Sequence, residues 1–533
     1  MFLKEKGAIL IYLIIFVAVF AIVMLMVVQN FSSKILLLKT TVEREQAFQI
    51  AEAGINYYQW HLINFPDDYK DGEEHDGPYV HDYVDYDNNE VLGQFSLAIT
   101  PPPKGQTTVI VRSTGWTVDK PNIKRTVTAT YAFPSLASYA LLTHDWMYAF
   151  GSESYSGPVH SDSGIRFEGS TSSAVTSSVE TSYLDDCAQE YPEHGCPTRL
   201  TRDAIWALGP NKSESSPFWN NPTTKADFTG IYTSFSDIQT NSLLGDNINL
   251  PLSNKQGYSL VFNGNGTVSV YKVLKTTNTS GTINGGVGFP VITPIIGGTD
   301  SGLANIIGGT DYSIGTCEGD TSCKIRNCRS VGRCLQFTAT IPEEGMVIYA
   351  QENLWVEGTV NGRVTVATAN GNANTNPNIV GGYLGQNTYS STSSSLMPNI
   401  YIQNNIRYAN GESGISGDRA DTLGLMAQGN IIVTKNAPDP LYVDAALLAQ
   451  NGFIAAPICY YGYSAKNNVY FFGSLILNGS WWFNFTNICG ASFTDGYHYP
   501  HFQWDTNLLY YPPPYFPLSS VSAGLQMVGW ASD

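Results

Sequence analysis

Residues 8–28 read AILIYLIIFVAVFAIVMLMVV, an unbroken run of apolar and aromatic side chains without charge, Gly or Pro. At about 1.5 Å per residue the run makes a helix of roughly 30 Å, the thickness of a bilayer's hydrocarbon core. It reads as a transmembrane helix. The leader Lys4-Glu5-Lys6-Gly7 precedes it, and two lysines there keep the leader cytoplasmic and send everything after Val28 outside. A secretory signal peptide would have a shorter apolar core followed by small residues of the A-x-A kind, and neither is found here.

The helical pattern continues past the membrane edge. Ile35, Leu38, Val42, Phe48, Ile55 and Tyr58 keep an apolar stripe, while Glu43, Arg44, Glu45 and Glu52 take other faces. The first proline is Pro66, and Gly54 stands alone between Gly7 and Gly72, at a cost of about 1 kcal/mol to a helix. The spacing predicts one helix over residues 8–64, on the order of 85 Å long, half in lipid and half beyond it.

Here the residues resemble a family. Lys4-Glu5-Lys6-Gly7 before an uncharged apolar run resembles a class III signal, the kind cut by prepilin peptidase in type IV pilins. Residues 46–54, QAFQIAEAG, are similar to the A-E-A-G segment of PilX-type minor pilins. The resemblance implies cleavage between Gly7 and Ala8, N-methylation of Ala8, and filament packing through Tyr12, Ala47, Ala51, Glu52 and Gly54. It implies as partners other pilin subunits, the inner-membrane assembly machinery and the peptidase. Most major pilins carry Glu at the fifth mature position, where it is thought to pair with a neighbour's free amine; this chain has Tyr12. That departure resembles K-type minor pseudopilins, linked to filament initiation or tips. A plain lipid-facing role for Tyr12 is the alternative.

Bulk properties narrow the rest. Charged residues make up 14% of the 533, against 50 Gly, 32 Tyr and 24 Phe, a composition suited to β-structure with tight turns. A net charge of −17 excludes a nucleic-acid binder, which needs basic patches to meet phosphates. All eight cysteines follow the membrane run: Cys187 and Cys196, then Cys317, Cys323, Cys328 and Cys334, then Cys459 and Cys489. An even count outside the cell reads as disulfides. The quartet lacks the C-x2-4-C knuckles of zinc sites, and its internal pairing stays open.

Residues 67–87 hold nine acidic side chains. Such a cluster can hold calcium, but the EF-hand spacing is missing and a solvated loop is favoured; no cofactor is expected. Residues 94–100, 107–116 and 124–132 alternate apolar with polar and predict antiparallel strands separated by proline-containing turns. A long helix with a small antiparallel sheet on its outer half is pilin architecture.

From residue 135 to 533 short apolar runs recur between Gly, Asn, Ser and Thr. Residues 425–432 (LMAQGNII) are echoed at 447–454 (LLAQNGFI), 22 positions later. A second echo joins 353–356, 399–402 and 468–471, at spacings of 46 and 69. A repeat near 23 suits one coil of a parallel β-solenoid with Asn and Gly at its corners; a β-sandwich is the alternative. The fold class is thus α+β: a transmembrane and pilin helix on a small sheet, then a large all-β region, with irregular insertions near 201–251 and 276–333.

Trp481, Trp482, Trp504 and the run 510–517 (YYPPPYFP) suit a terminal cap or packing, and are aromatic enough to stack on a glycan. No G-x-S-x-G elbow, H-E-x-x-H or phosphate loop occurs, so an enzyme is not expected, although a carbohydrate-active β-helix remains an alternative. The expected function is a minor, tip-associated pilin of a type IV pilus-like filament. It would present the β-region for attachment, with a surface glycan or host-cell ligand as partner. A membrane-anchored surface protein outside any filament is the other reading.

Overall fold

One unbroken helix, α1, runs from Glu5 to Asn64, about 90 Å at 1.5 Å per residue. The computed structural model describes residues 5–533 except 67, 86, 88, 103–106, 185–199, 208–209, 227, 229, 274–275, 283–289, 297–327, 331–332, 371–396, 411–420, 457–464, 480, 487–493, 510 and 520–524. The chain forms two compact units. The first comprises Met1–Pro102, Thr108–Ala132 and Leu525–Asp533; the second comprises Pro103–Thr107 and Phe133–Gly524.

In the first unit, the inner part of α1 is bare: every large apolar side chain from Ile9 to Leu38 is exposed. The outer part is the reverse. Ala47, Ile50, Ala51, Ile55, Tyr58 and Leu62 are fully buried at spacings of three and four, the single stripe that a sheet can cover. That sheet runs β1 (Tyr79–Val84), β2 (Val91–Thr100), β3 (Val109–Thr117), β4 (Lys124–Ala132) and then the strand Gln526–Ser532, antiparallel throughout. The three strands expected from sequence are present. Two others were not foreseen. β1 lies inside the acidic stretch read as a loop, and Gln526–Ser532 returns to β4 from the far end of the chain. The all-β region expected to run to Asp533 therefore ends earlier, and the second unit is an insertion between two neighbouring strands of the first unit's sheet.

The acidic stretch also has structural work. Asp68 accepts the amides of Lys70 and Gly72 and lies 3.0 Å from His61 on α1, while Asp71 pairs with His81 on β1. These contacts stop the chain after α1 and turn it into the sheet. Among the described residues no group of three His, Cys, Asp or Glu could hold a metal ion.

The second unit is built of parallel ladders. The first stacks, in spatial order, Ile248–Leu250, Met346–Ala350, Arg363–Thr368, Thr422–Ala427, the second halves of Leu441–Ala449 and Ala465–Leu477, then Leu141–Thr143, Val159–Ser161, Val175–Ser177 and Trp219–Asn220. A second stacks Gly257–Asn263, Leu354–Val360, Ile400–Tyr408, Ile431–Val433, Ile454–Ala455 and Trp481–Trp482. A third joins the first halves of Leu441–Ala449 and Ala465–Leu477 to Thr494–Trp504, Ser154–Ser156 and Ser170–Thr171. Strand on parallel strand, rung on rung, is solenoid stacking; a sandwich would pair its strands antiparallel.

The rungs are not stacked in chain order. The chain enters mid-stack at Leu141, winds to one end at Trp219, crosses to the other end at Ile248, and winds back until Leu475 meets Leu141. The crossover carries the helix Gly230–Asn241. Its Ile231, Phe235 and Ile238 cover the outer side of the first ladder with Leu136, Leu508 and Phe516, against Val347, Met426 and Leu448. One continuous inner core passes through the seam, from Leu141 and Tyr155 to Leu475 and Phe502. At the Ile248 end Gly257–Asn263 pairs antiparallel with Thr267–Val273, which pairs in turn with Arg333–Thr340.

The first sequence echo matches the register: Leu425 pairs with Leu447 and Ile431 with Ile454. Leu354 likewise pairs with Ile400, but as adjacent rungs, so a spacing of 46 is one coil with a long insertion rather than two coils. The third member of that echo is corrected, because Val469 and Tyr470 sit on Leu441 and Tyr442, in another ladder. Asparagines do form a corner ladder. Asn399 N donates to Asn353 Oδ1 at 2.9 Å, Asn430 N to Asn399 Oδ1 at 2.7 Å, and Phe453 N to Asn430 Oδ1 at 3.0 Å. Each side-chain oxygen satisfies an amide that the bend takes out of the ladder.

Candidate functional site: a bare helix and an exposed cleft

The first candidate surface is α1. Gly7 and Ala8 lie within the helix, and Tyr12 is 72% exposed on its bare part. The most apolar 18-residue window has a mean hydropathy of 3.2 with none of it buried, which fits a membrane anchor.

Three of the residues expected in filament packing lie against the chain's own sheet. Ala47 and Ala51 are fully buried beneath β3, where a Cβ on Gly115 would fall 2.4 Å from the Ala47 carbonyl and the Ala51 amide. A Cβ on Gly54 would fall 2.3 Å from Ser113 Oγ. Small residues on both sides let helix and sheet backbones approach closely, so Ala47, Ala51 and Gly54 serve the packing of helix on sheet within the chain. Glu52 remains half-buried beside them.

Of the cysteines, Cys187, Cys196, Cys317, Cys323, Cys459 and Cys489 lie outside the described residues. Cys328 stands opposite Cys334 in the register of adjoining antiparallel strands.

Two of the tryptophans considered for glycan stacking are engaged inside the fold. Trp481 is 2% exposed and donates its indole N–H to Glu153; Trp504 donates to the Ala137 carbonyl at 2.8 Å. Residues 511–517 run as a strap along the first ladder rather than a terminal cap, with Thr365 Oγ1 donating to the Pro514 carbonyl and Arg363 to that of Pro512.

Two buried carboxylates close the seam and the crossover. Glu153 accepts from Tyr155 Oη at 2.6 Å, the Phe150 amide at 2.8 Å and the Trp481 indole at 3.2 Å. Burial still dominates and pushes its carboxyl up to about 7. Asp162 lies between His144 and His160 and also accepts the Ala226 amide of the crossover. There burial, which would raise the carboxyl, is outweighed by these hydrogen bonds, and it falls to about 2.

The third ladder carries the second candidate surface. Tyr442, Tyr470, His501, Ser154 and Ser170 hold one register position on five successive strands. Arg407 lies over the Tyr442 ring at 4.5 Å. Tyr442 and Tyr470 stack at 5.1 Å and 13°, and Tyr470 and His501 at 4.7 Å and 9°. His501 Nδ1 is 2.9 Å from Ser154 Oγ and its Nε2 is 3.3 Å from Asn468 Oδ1. After His501 the column changes from rings to hydroxyls, and the space rings would have filled is a cleft of about 440 Å³. Serine, histidine and asparagine are the types of a hydrolase relay. However, Ser154 and Tyr155 are paired on both edges, which ties that stretch of backbone into the ladder rather than turning it towards an oxyanion.

Sequence reasoning missed this column because its members sit up to 347 positions apart. Only Tyr442 and Tyr470 carry a signal, a tyrosine at the same place on two rungs.

No protein-family model matches the chain, and no curated protein matches it. Among solved structures, the crystal structure of the competence-associated pilin ComZ from Thermus thermophilus aligns with 92% of this chain and 98% of that one. The identity is 12% and the TM-score 0.27, an overlap that carries no argument about this protein.

Proposed function

We propose that this chain is a minor pilin of a type IV pilus-like filament, cleaved after Gly7, that presents an inserted β-solenoid for surface attachment. One observation carries the reading: a single helix is covered on its outer part by its own antiparallel sheet and left bare on its inner part. A bare apolar rod needs lipid before assembly and neighbouring helices after it. Before assembly the chain is a single-pass protein of the cytoplasmic membrane with its C-terminal part outside. Its partners are the prepilin peptidase, the assembly machinery and other pilin subunits, met through the bare helix. A module of this size suits a tip or sparse position, because it would crowd a repeating shaft. The reading includes no catalysis.

The test is the N-terminal peptide of the native protein by mass spectrometry, with immunogold labelling of sheared filaments. A chain beginning at Ala8 and labelled at filament ends rather than along the shaft is the expected result. A chain beginning at Met1 and absent from filaments would leave a membrane-anchored solenoid and end the filament reading.

A further inference from the structure

The exposed column on the third ladder ends where its side chains shrink, and the resulting cleft has a mixed lining. His501 stands at one wall; Ser154, Ser156, Ser170 and Thr171 bring hydroxyls, and Gln503 brings an amide. Its volume of about 440 Å³ lies within the roughly 300–1,000 Å³ of small-ligand sites. We propose that this cleft binds a neutral sugar unit of a surface glycan, an inference that rests on the attachment reading above.

Ligand chemistry follows from the lining. A pyranose has a C–H face and a rim of hydroxyls, each both donor and acceptor. Ser and Thr hydroxyls and the Gln503 amide are donors and acceptors as well, so they match that rim without fixing a charge. The imidazole wall supplies a flat surface for the C–H face, and burial lowers the pKa of His501, which favours the uncharged ring at neutral pH.

Charge selects against acidic sugars. The exposed carboxylate of Glu214 also lines the cleft, and the whole chain carries a net charge of −17. A uronate or sialate would meet repulsion from both. An extended peptide is disfavoured for a different reason. Ser154–Ser156 is paired with Thr494–Trp504 on one edge and, over Ser154 and Tyr155, with Ser170–Thr171 on the other, and the outer edge of Ser170–Thr171 is only two residues long, too short a template for β-augmentation.

The experiment uses the full-length protein in a detergent without a sugar headgroup. Saturation-transfer NMR is run against glucose-, galactose- and N-acetylglucosamine-terminated oligosaccharides, with sialyl- and glucuronyl-terminated ones alongside. At least one neutral oligosaccharide is expected to receive saturation, and the acidic ones to receive less. Ser170→Trp, which returns a ring to the column, is expected to weaken binding tenfold or more, with near-UV circular dichroism retained. His501→Ala should weaken it comparably. Trp530→Ala, on the first unit's sheet and absent from the cleft lining, should leave binding within about twofold.

Absence of saturation on every neutral probe would overturn the proposal. So would stronger binding of the acidic probes, or undiminished binding by Ser170→Trp. The filament reading fails separately. A chain found to start at Met1 that still binds sugar through His501 refutes filament entry alone, whereas a processed, filament-borne chain that binds no sugar refutes this inference alone.

Discussion

Each unit of this protein is closed by a strand from far along the chain, and the two closures differ in kind. In the first unit Gln526–Ser532 pairs antiparallel with β4 and forms a sheet edge, leaving Met527 and Trp530 41% and 49% exposed. In the second, Leu475 meets Leu141 and Phe502 meets Tyr155 in parallel ladders with strands on both sides, and all four side chains are buried. An edge strand adds area to a sheet that already has a face packed on a helix. A seam strand completes the core itself, so the solenoid cannot be continuous without it. Closure of the second unit should therefore matter more to stability than closure of the first.

The strongest way to break that ordering is Leu475→Asp. It buries a carboxylate without a partner in the seam and should cost on the order of 4–5 kcal/mol. Calorimetry of the full chain should show the solenoid transition collapse; an unchanged transition would mean the seam carries little of the core.

Gly115→Val should cost about 3 kcal/mol in the first unit, because the helix backbone at Ala47 and Ala51 must retreat from β3. Hydrogen exchange over residues 47–62 should quicken markedly, while protection in the ladders stays as it was.

Next in size is the pH dependence of the seam. Glu153 is held at about 7 in the fold against an ordinary value of 4.5, so its protonated form favours folding. That contribution is complete below about pH 4.5 and lost as pH rises to 7, a change of roughly 2–3 kcal/mol. Asp505, which burial pushes up to about 6, adds a slope of the same sign. Asp162 works in the opposite sense and lower, its contribution fading only as pH falls from about 4 towards 2. Denaturant midpoints measured from pH 4.5 to 7 should fall for the native chain and fall less for Glu153→Gln. Equal slopes would remove Glu153 from the account.

Deleting residues 526–533 tests the weaker closure. It should cost about 2 kcal/mol, because the strand brings the buried half of Trp530 and covers one edge of β4. Amides of β4 should lose protection while Leu141–Thr143 keeps its own. The smallest effect is expected from Asn399→Ala, which removes the acceptor for the Asn430 amide at a corner and should cost about 1 kcal/mol. A loss as large as that of Leu475→Asp would show that corners, not the seam, hold the rungs.

Features with a local period were legible. The run 8–28, the stripe through Tyr58, the strands β2 to β4 and the echo of 425–432 at 447–454 repeat within one helix turn, one strand or one coil, so each can be read from a window of neighbours. β1 was hidden because its own alternation, Tyr79-Val80-His81-Asp82, sits among carboxylates that look solvated, while the structure spends Asp68 and Asp71 on turning the chain. The AEAG segment illustrates the opposite problem. Small residues at helical spacing announce a close approach but not to what, and Gly115 of the same chain turned out to be the partner for Ala47 and Ala51.

The sequence by itself determined that this protein has a membrane-length apolar helix, an extension of that helix with one buried stripe, and a β-region of short, locally echoing runs beyond it, with solenoid and sandwich both open. Tertiary structure alone decided which strands are neighbours: Gln526–Ser532 beside β4, Leu475 upon Leu141, and Ser154 beneath His501. The physical reason is that a strand's period of two records which face is buried and nothing about who lies alongside. Backbone hydrogen bonds are the same whichever strand supplies them, so partners hundreds of residues apart are chosen by the packing of the completed core, and the cleft exists only once that choice has been made.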